Sequence, residues 1–290
     1  MPRSWYEQNG VHYIVMKRIL NGVEYTECFD KDAEFDAFYE GLKKGDLPTT
    51  TALNPFELKE YFENILKKEP AGDIVHVALS SGLSVTFNNA KSAAAEINKT
   101  LKDRKIHVHD SLTGTLGIGA QVAELVELRD KGTSFADAIA KVEASRAHQQ
   151  GWVIITDLFH LKRGGRISSA KAAIGTMLNI RPIICISKAG KLAFENKMRG
   201  NIKAIQYVME KMVKYGEKWC KENGGDFKKS TVWVVRSSKS EIFDQVLVKL
   251  RASYPDIHIK TFAVGPIIGS HLGCGAVGVL WNGAPRLDIE

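Results

Sequence analysis

Hydroxyl side chains are concentrated in the sequence SSGLSVT at positions 80–86. This segment follows the pattern of a buried strand and precedes that of a helix, and the hydroxyls and backbone N–H groups of such a turn can bind a carboxylate or a phosphate. Capping of the helix by Ser84 or Thr86 would account for some of these hydroxyls without a ligand. Because ligands of α/β proteins bind at the carboxyl ends of strands, we predict an anion-binding loop that includes Ser80, Ser81 and Ser84.

A second candidate group is the imidazole of His271, which lies among small residues in the sequence GSHLGCG at 269–275. This pattern predicts a histidine exposed in a cleft. The surrounding residues 262–281 contain no Lys, Arg, Asp or Glu and are long enough to span a membrane. Because five glycines and one proline would destabilise a helix, we predict two buried strands around a glycine-rich turn, and no stable membrane insertion.

These groups allow a second hypothesis, a Ser-dependent esterase or thioesterase. Ser81 or Ser84, Asp110 and His271 occur in the chain order Ser, Asp, His that some hydrolases use. The sequence GLSVT at 82–86 lacks the final glycine of the G-x-S-x-G motif, so only the order of the residues supports this alternative.

Other motifs predict neither a metal nor a cofactor. His107 and His109 share one face of a predicted strand, but the sequence indicates no third ligand nearby. The four cysteines have no metal-binding or disulfide spacing. Gly117 and Gly119 lack the third glycine and the distal acid of a dinucleotide site.

Basic residues are enriched in one part of the chain. Residues 160–230 contain sixteen Lys or Arg and five acids, a local charge of +11 in a chain of net charge +7. Within this block, Arg166 follows two glycines and Arg199 follows a predicted hairpin, and guanidinium groups suit carboxylate or phosphate. The block could attract a phosphorylated ligand, an acidic partner or nucleic acid. Aromatic residues are scarce in it and no recognition motif is present, so we predict no nucleic-acid binding.

The elements that must position these groups fall into two halves. In residues 73–148, strand and helix patterns alternate, which predicts parallel strands joined by right-handed crossovers, as in Rossmann-like α/β domains. An Asn21-Gly22 turn precedes them and predicts a hairpin, and residues 49–51 read as a polar loop. After a predicted break at residues 149–151, the later part contains a helical pattern from Ala170, a predicted hairpin at 181–196 and a long helix at about 202–223.

We therefore predict an α/β fold with two domains. The 290 residues divide into an N-terminal parallel-sheet domain, 1–150, and a C-terminal α+β domain, 151–290. With 44% hydrophobic and 25% charged residues, the composition excludes a disordered, collagen-like or polytopic membrane protein. The scattered cysteines and the absence of a signal-peptide pattern predict a cytoplasmic protein.

Six segments in consistent order resemble the DegV family, bacterial fatty-acid-binding proteins that include the acyl-carrier subunit of fatty acid kinase. They are TTTALNP at 49–55, SSGLSVT at 80–86, HDS at 109–111, LKRGGRIS at 161–168, LNIRPII at 178–184 and VGPIIGSHLGCGAVGV at 264–279. The chain departs from the family pattern at positions 51–54, at Val85 and at Cys274.

The resemblance implies a long-chain fatty acid such as palmitate between the two domains, with its tail in an apolar tunnel of residues 151–290. It also implies a non-catalytic carrier, without a cofactor, whose bound acid a partner kinase phosphorylates at the mouth of the tunnel. The fatty-acid-binding residues that we predict are Thr50, Ser80, Ser81, Ser84, Arg166 and His271. Arg199 and His271 are the predicted phosphate-side residues, and the choice between Ser80 and Ser81 as the direct carboxylate contact stays open.

Overall fold

The computed structural model describes residues 1–27, 32–156, 158–167 and 179–289, with the side chains of residues 32 and 33 outside the description. The first half contains the following elements: α1 (Arg3–Gln8), β1 (Lys17–Leu20), β2 (Val23–Thr26), α2 (Asp32–Lys43), β3 (Thr49–Thr51), α3 (Pro55–Lys68), β4 (Ile74–Ala78), α4 (Thr86–Asn98), β5 (Ile106–Asp110), α5 (Leu116–Asp130) and α6 (Phe135–Arg146). The second half contains these: β6 (Gln149–Ile154), α7 (Phe159–Arg163), β7 (Ile180–Ile186), β8 (Leu192–Arg199), α8 (Asn201–Glu222), a 3₁₀ turn (Phe227–Lys229), β9 (Thr231–Arg236), α9 (Glu241–Ser253), β10 (His258–Ala263), α10 (Pro266–Leu272) and β11 (Val277–Asn282).

A small antiparallel sheet of order β2-β1-β3 opens the chain. The predicted hairpin is confirmed, since Asn21 and Gly22 have the positive φ angles, 51° and 80°, of a type I′ turn. The polar loop predicted at residues 49–51 is wrong, because these residues form β3 and Thr50 pairs with Arg18 of β1. The hydroxyl of Thr50 is therefore carried by a strand.

The predicted α/β fold is confirmed, with parallel pairing between β4 and β5. Helices α3 and α4 pack on one face of this pair through Leu58, Phe62 and a row of alanines. Helix α3 begins with a reciprocal capping pair, in which Asn54 accepts the N–H of Glu57 and Glu57 accepts that of Asn54.

The second half is built on a mixed sheet of order β10-β9-β11-β6-β7-β8. Alternate residues of its strands pack under α8 and α9, where Trp152 and Trp281 stack with ring centroids 6.5 Å apart. The predicted hairpin and long helix are confirmed as β7–β8 and α8. A predicted break at residues 149–151 is wrong, since these residues belong to β6 and pair with β11.

The apolar stretch 262–281 differs from its prediction at its centre. The second buried strand is confirmed as β11, but only Phe262 and Ala263, both partly exposed, belong to β10, and residues 266–272 form helix α10. Pro266 stands at the first helical position, where its missing N–H breaks no bond, and Gly273, with a φ of 73°, ends the helix. Among the described residues, no helix has the length and apolar character needed to cross a membrane.

The two halves meet where the turn between β7 and β8 contacts the loop after β4. The hydroxyl of Ser80 donates to the carbonyl of Gly190, with an Oγ–O distance of 2.7 Å. Gly190 has a φ of 72°, and a Cβ at this position would collide with Ser80 Oγ, so only glycine fits. The division at residue 150 stays a prediction, and a helical segment predicted from Ala170 lies outside the described residues.

Candidate ligand-binding site

A cavity lies on the sheet face opposite α8 and α9. It encloses about 1050 Å³, including its open end. Its walls are almost entirely apolar, because the residues of β6, β9 and β11 that alternate with the core residues point into it. The described apolar lining includes Met16, Leu79, Leu83, Val153, Leu161, Ile186, Leu192, Val235, Val264, Ile267, Ile268, Leu272 and Leu280.

Two glycines in the sheet stand where the cavity lining leaves no room for a side chain. A Cβ on Gly151 would lie 2.8 Å from Ile186 Cδ1, and a Cβ on Gly278 would lie 2.7 Å from Val235 Cγ2. Both distances are shorter than a carbon–carbon contact allows, so a larger side chain at either position would displace the lining.

One end of the cavity carries polar side chains. We use the name polar end for four residues of the lining: Thr50, Ser84, Arg166 and His271. Thr50 Oγ1 lies 2.8 Å from His271 Nε2, and His271 Nδ1 is buried without a hydrogen-bond partner among the described residues. Strand β3 and helix α10 thus bring together two groups that are 221 residues apart.

The imidazole of His271 is neutral at physiological pH. Burial, aided by the positive charges of Arg166 and Arg163 and by His160, lowers the pKa of His271 to about 4. A neutral ring offers one N–H donor and one acceptor nitrogen. Together with the Thr50 hydroxyl, it can hydrogen-bond a carboxylate without forming an ion pair.

The positive charge at this end comes from arginines. Arg166 is exposed; its Nε donates to the carbonyl of Leu83 at 3.3 Å, and Nη1 donates to that of Gly164. Sequence analysis did not single out Arg163, although it belongs to the same LKRGGRIS segment. Its Nη2 donates to the carbonyls of Pro48, at 2.8 Å, and Ser270, at 3.3 Å, which ties α7 to the loop before β3 and to α10.

Helix α10, which carries His271, is held at its start by two groups that sequence analysis also missed. The carboxylate of Glu27 accepts the N–H of Ile267 at 3.2 Å, and the hydroxyl of Tyr39 donates to Val264 at 2.7 Å. Burial raises the pKa of Glu27 to about 7. No local motif signals these contacts, because each joins residues more than 200 positions apart.

The predicted serines lie in three different surroundings. Ser80 is fully buried. Its hydroxyl donates to the carbonyl of Gly190, as described above, and accepts the N–H of Gly82 at 3.1 Å. Ser81 is exposed, and its N–H donates to Asp110 Oδ1 at 3.1 Å. Only Ser84 of the three is in the described lining, where its hydroxyl also accepts the N–H of Thr86 at 3.2 Å. The direct roles of Ser80 and Ser81 stay predictions.

Arg199 is also outside the described cavity lining. It is exposed at the end of β8 and pairs with Ile180. Ile183 of β7 pairs with Ile154, the last residue of β6. Arg199 therefore lies at the end of the sheet where β6 leads into α7 and toward the polar end. Its role beside the ligand stays a prediction.

The hydrolase alternative has no matching geometry in the described residues. His271 Nε2 contacts Thr50, whereas Asp110 Oδ1 accepts the N–H groups of Ser81 and Leu112. Asp110 therefore orders the loop backbone instead of orienting an imidazole, as a Ser-His-Asp triad requires.

Backbone strain marks the side of the cavity at the start of α5. Thr115 lines the cavity with φ 52° and ψ −124°, a conformation that β-branched residues rarely adopt. Such strain persists where surrounding structure imposes it, often at ligand sites. No sequence pattern predicts this strain, because a φ angle cannot be deduced from a threonine in a glycine-rich segment.

A second group of polar residues lies away from the cavity. The structure brings Glu143 of α6 to His107 and His109, and so supplies the third candidate metal ligand that spacing did not reveal.

The fold and the cavity together define an α/β protein with a mostly apolar pocket whose lining includes a few polar side chains. The family model described as "Uncharacterised protein, DegV family" matches residues 1–283. The chain therefore belongs to the DegV family, as the six segments indicated.

Similarity to individual proteins supports the assignment. The chain is 30% identical over 283 residues to protein DegV of Bacillus subtilis, covering 97% of this chain and 95% of that protein. It is 29% identical over 283 residues to a DegV domain-containing protein of Clostridium perfringens, covering 98% and 94%. The crystal structure of DegV from Bacillus subtilis, described as a fatty acid binding protein, matches with a TM-score of 0.79 at 28% identity, covering 98% of this chain and 95% of that one.

A more distant structure agrees in fold. The DegV family protein from Thermus thermophilus, described by its fatty acid binding, has a TM-score of 0.83 at 23% identity and covers 98% of this chain.

Proposed function

We propose that this protein is a carrier that binds one long-chain fatty acid, buries the acyl tail in the cavity and presents the carboxylate to a partner kinase. The observation that carries the proposal is the cavity itself, whose lining is mostly apolar but includes Thr50, Ser84, Arg166 and His271. The fatty acid binding reported for DegV of Bacillus subtilis supports the choice of ligand.

Burial of the tail supplies most of the affinity. A chain of about fifteen methylenes at about 0.8 kcal/mol each corresponds to at most about 12 kcal/mol, before the cost of ordering the chain. Hydrogen bonds to the charged carboxylate contribute about 1.5–3 kcal/mol each, and they offset its desolvation. The tail therefore determines affinity, and the polar end determines which way the ligand lies.

At the polar end, the direct contacts are assigned to Thr50 and His271. Thr50 Oγ1 and His271 Nε2 lie 2.8 Å apart and hydrogen-bond each other, and a carboxylate that accepts from both would replace this bond. Ser84 adds a second hydroxyl to the polar end, and Arg166 adds positive charge from the exposed rim. Ser80 positions the loop through its buried contact with Gly190.

An exposed rim is consistent with presentation of the carboxylate to another protein. Phosphorylation of the acid would transfer a phosphoryl group from a nucleotide to a carboxylate oxygen, which requires access to that oxygen from outside. Arg166, and Arg199 at the same end of the sheet, would then stabilise the negative charge of the acyl phosphate.

The ligand can be tested directly. The purified protein, denatured and extracted, should release about one fatty acid per chain on mass spectrometry. After removal of lipid, titration with palmitate should show that Thr50→Val binds at least about tenfold more weakly, because it loses one hydrogen bond to a charged group. The matched control is Thr49→Val, one position along β3 and outside the described lining. A lipid-free protein that does not bind added palmitate would refute the proposal.

The kinase step needs its own measurement. With a purified fatty acid kinase catalytic protein and labelled ATP, Arg166→Ala should lower acyl phosphate formation more than it lowers palmitate affinity. Arg251→Ala, an exposed change on α9, is the control. Equal loss of binding and phosphorylation would contradict a role in presentation while leaving the ligand assignment intact.

A further inference from the structure

Two histidines and a glutamate meet on the side of β5 that faces away from α3 and α4. His107 and His109 alternate with Ile106 and Val108, which pack toward those helices. On the other face, one ring nitrogen of each histidine and a carboxylate oxygen of Glu143 lie within 4.8 Å of one another. The three residues come from a strand and from α6, and none of them lines the described cavity.

Each histidine has a buried ring nitrogen that makes no hydrogen bond within the described part of the chain. These atoms are His107 Nε2 and His109 Nδ1. His109 is fully buried. A buried polar atom without a partner costs about 1–3 kcal/mol, so an ion that both nitrogens could bind would remove this cost.

The surrounding network fixes which nitrogen of His109 carries the proton. The amide nitrogen of Gln121 donates to the carbonyl of Ser111 at 3.0 Å and to Oε1 of Gln149 at 2.7 Å. The Gln121 oxygen therefore faces His109 Nε2, 2.8 Å away, as an acceptor. Nε2 must donate to it, so that Nδ1 keeps a free lone pair. Metal-binding histidines are held in this way by a hydrogen bond from the other ring nitrogen.

We propose that His107, His109 and Glu143 form a site for a divalent transition-metal ion of the Zn²⁺ class, with a fourth position open to water. Two imidazoles and one carboxylate are a known three-ligand set for zinc, and imidazole ligands favour such ions over Mg²⁺ or Ca²⁺. Zinc needs its ligands about 2.0–2.2 Å from the ion, so the exposed side chain of Glu143 must turn inward to close the site.

Two charged side chains lie near the histidines. Arg146, whose guanidinium donates to the carbonyl of Asp110, opposes a positive ion. Glu143 supplies a compensating negative charge. A bound ion would join α6 to β5 just before Asp110, whose carboxylate orders the Ser81 loop. The proposal does not depend on the identity of the ligand in the cavity.

The test uses the full chain, free of any affinity tag and stripped with a chelator. Titration with Co²⁺ should produce the visible absorption of a four- or five-coordinate ion at one equivalent per chain, without thiolate charge-transfer bands. Zn²⁺ should displace it, and Mg²⁺ and Ca²⁺ should not. Thiolate bands would assign the ion to cysteine and overturn the proposal.

Variants separate this site from binding to surface histidines. Glu143→Gln, an exposed change, and His107→Ala should each weaken Zn²⁺ binding about tenfold or more, judged by competition with a chromophoric chelator. The control is His12→Ala, which removes a histidine that lies 3.0 Å from Glu69 on the surface. Wild-type affinity in Glu143→Gln, or an equal loss in His12→Ala, would overturn the assignment. Circular dichroism of each variant verifies that it is folded.

Discussion

Acid should destabilise the lipid-free protein in part through His271. The pKa of this group is about 4 in the folded chain, compared with about 6.5 when unfolded, so the unfolded chain binds the additional proton. The stability that neutral His271 contributes is therefore complete above pH 6.5 and is lost as the pH falls toward 4. The free energy of unfolding lost between pH 7 and pH 5 through this group would be about 1.8 kcal/mol for a ring shielded from water. For the partly exposed ring of His271 we expect a loss of about 1–1.5 kcal/mol.

The perturbation that isolates this effect is His271→Gln, because an amide can still hydrogen-bond Thr50 but does not titrate. Urea denaturation at pH 7 and pH 5 should show that the variant loses about 1–1.5 kcal/mol less than the parent protein. Other buried histidines, such as His76, whose pKa burial also lowers to about 4, contribute equally to both proteins. His12→Gln, a change at the surface, should behave as the parent does.

Palmitate adds a second comparison. A carboxylate next to His271 would raise the pKa of the imidazole, so that the difference between parent and variant should shrink when both proteins are loaded. If the free energy of unfolding of His271→Gln depends on pH as that of the parent protein does, the reasoning that burial lowers the pKa of His271 is refuted. If loading leaves the difference unchanged, the carboxylate does not lie beside His271.

Two further predictions concern the shape of the cavity and the contact between the halves. Gly278→Ala should shift the binding preference toward shorter fatty acids, which competition between palmitate and myristate measures. The relative affinity should change by about fourfold per methylene displaced. The control is Gly225→Ala, because a Cβ at Gly225 would meet atoms no closer than 3.6 Å. An unchanged ratio would show that the tail does not pass Gly278. Ser80→Ala should lower the free energy of unfolding by about 1–3 kcal/mol in urea, because the buried carbonyl of Gly190 loses its donor, with little change in palmitate affinity. A large loss of affinity at unchanged stability would instead place Ser80 at the carboxylate.

The elements that the sequence predicted well are those with strong local signals. The Asn21-Gly22 turn requires positive φ angles that these residues tolerate, and the long periodic pattern of α8 has no alternative as a strand. Helix α10 and strand β3 were not predicted, and one reason accounts for both. Each is short, and its conformation depends on distant partners, α2 for the helix and β1 for the strand.

The site was predictable in its residue types but less so in its contacts. Thr50, Ser84, Arg166 and His271 could be recognised from motifs, and the fold brings all four to one end of the cavity. The role of Ser80 could not, because its partner Gly190 is 110 residues away in a turn.

The third member of the proposed metal site was hidden for a similar reason. Glu143 lies on a helix, 34 residues after His109, and only the packing of α6 against β5 brings it near the histidines. Sequence spacing reveals ligands that share one element or one turn, and it does not reveal ligands that two separately formed elements bring together.

The contact between Ser80 and Gly190 has a consequence for the rate of ligand exchange. Both halves of the chain contribute walls to the cavity, and this hydrogen bond fastens them together at Gly190, a position that admits no side chain. A ligand that left by separation of the halves would have to break this bond. Exit of the proposed ligand past the exposed Arg166 would leave the bond intact, so the dissociation rate should depend on how tightly a partner covers Arg166.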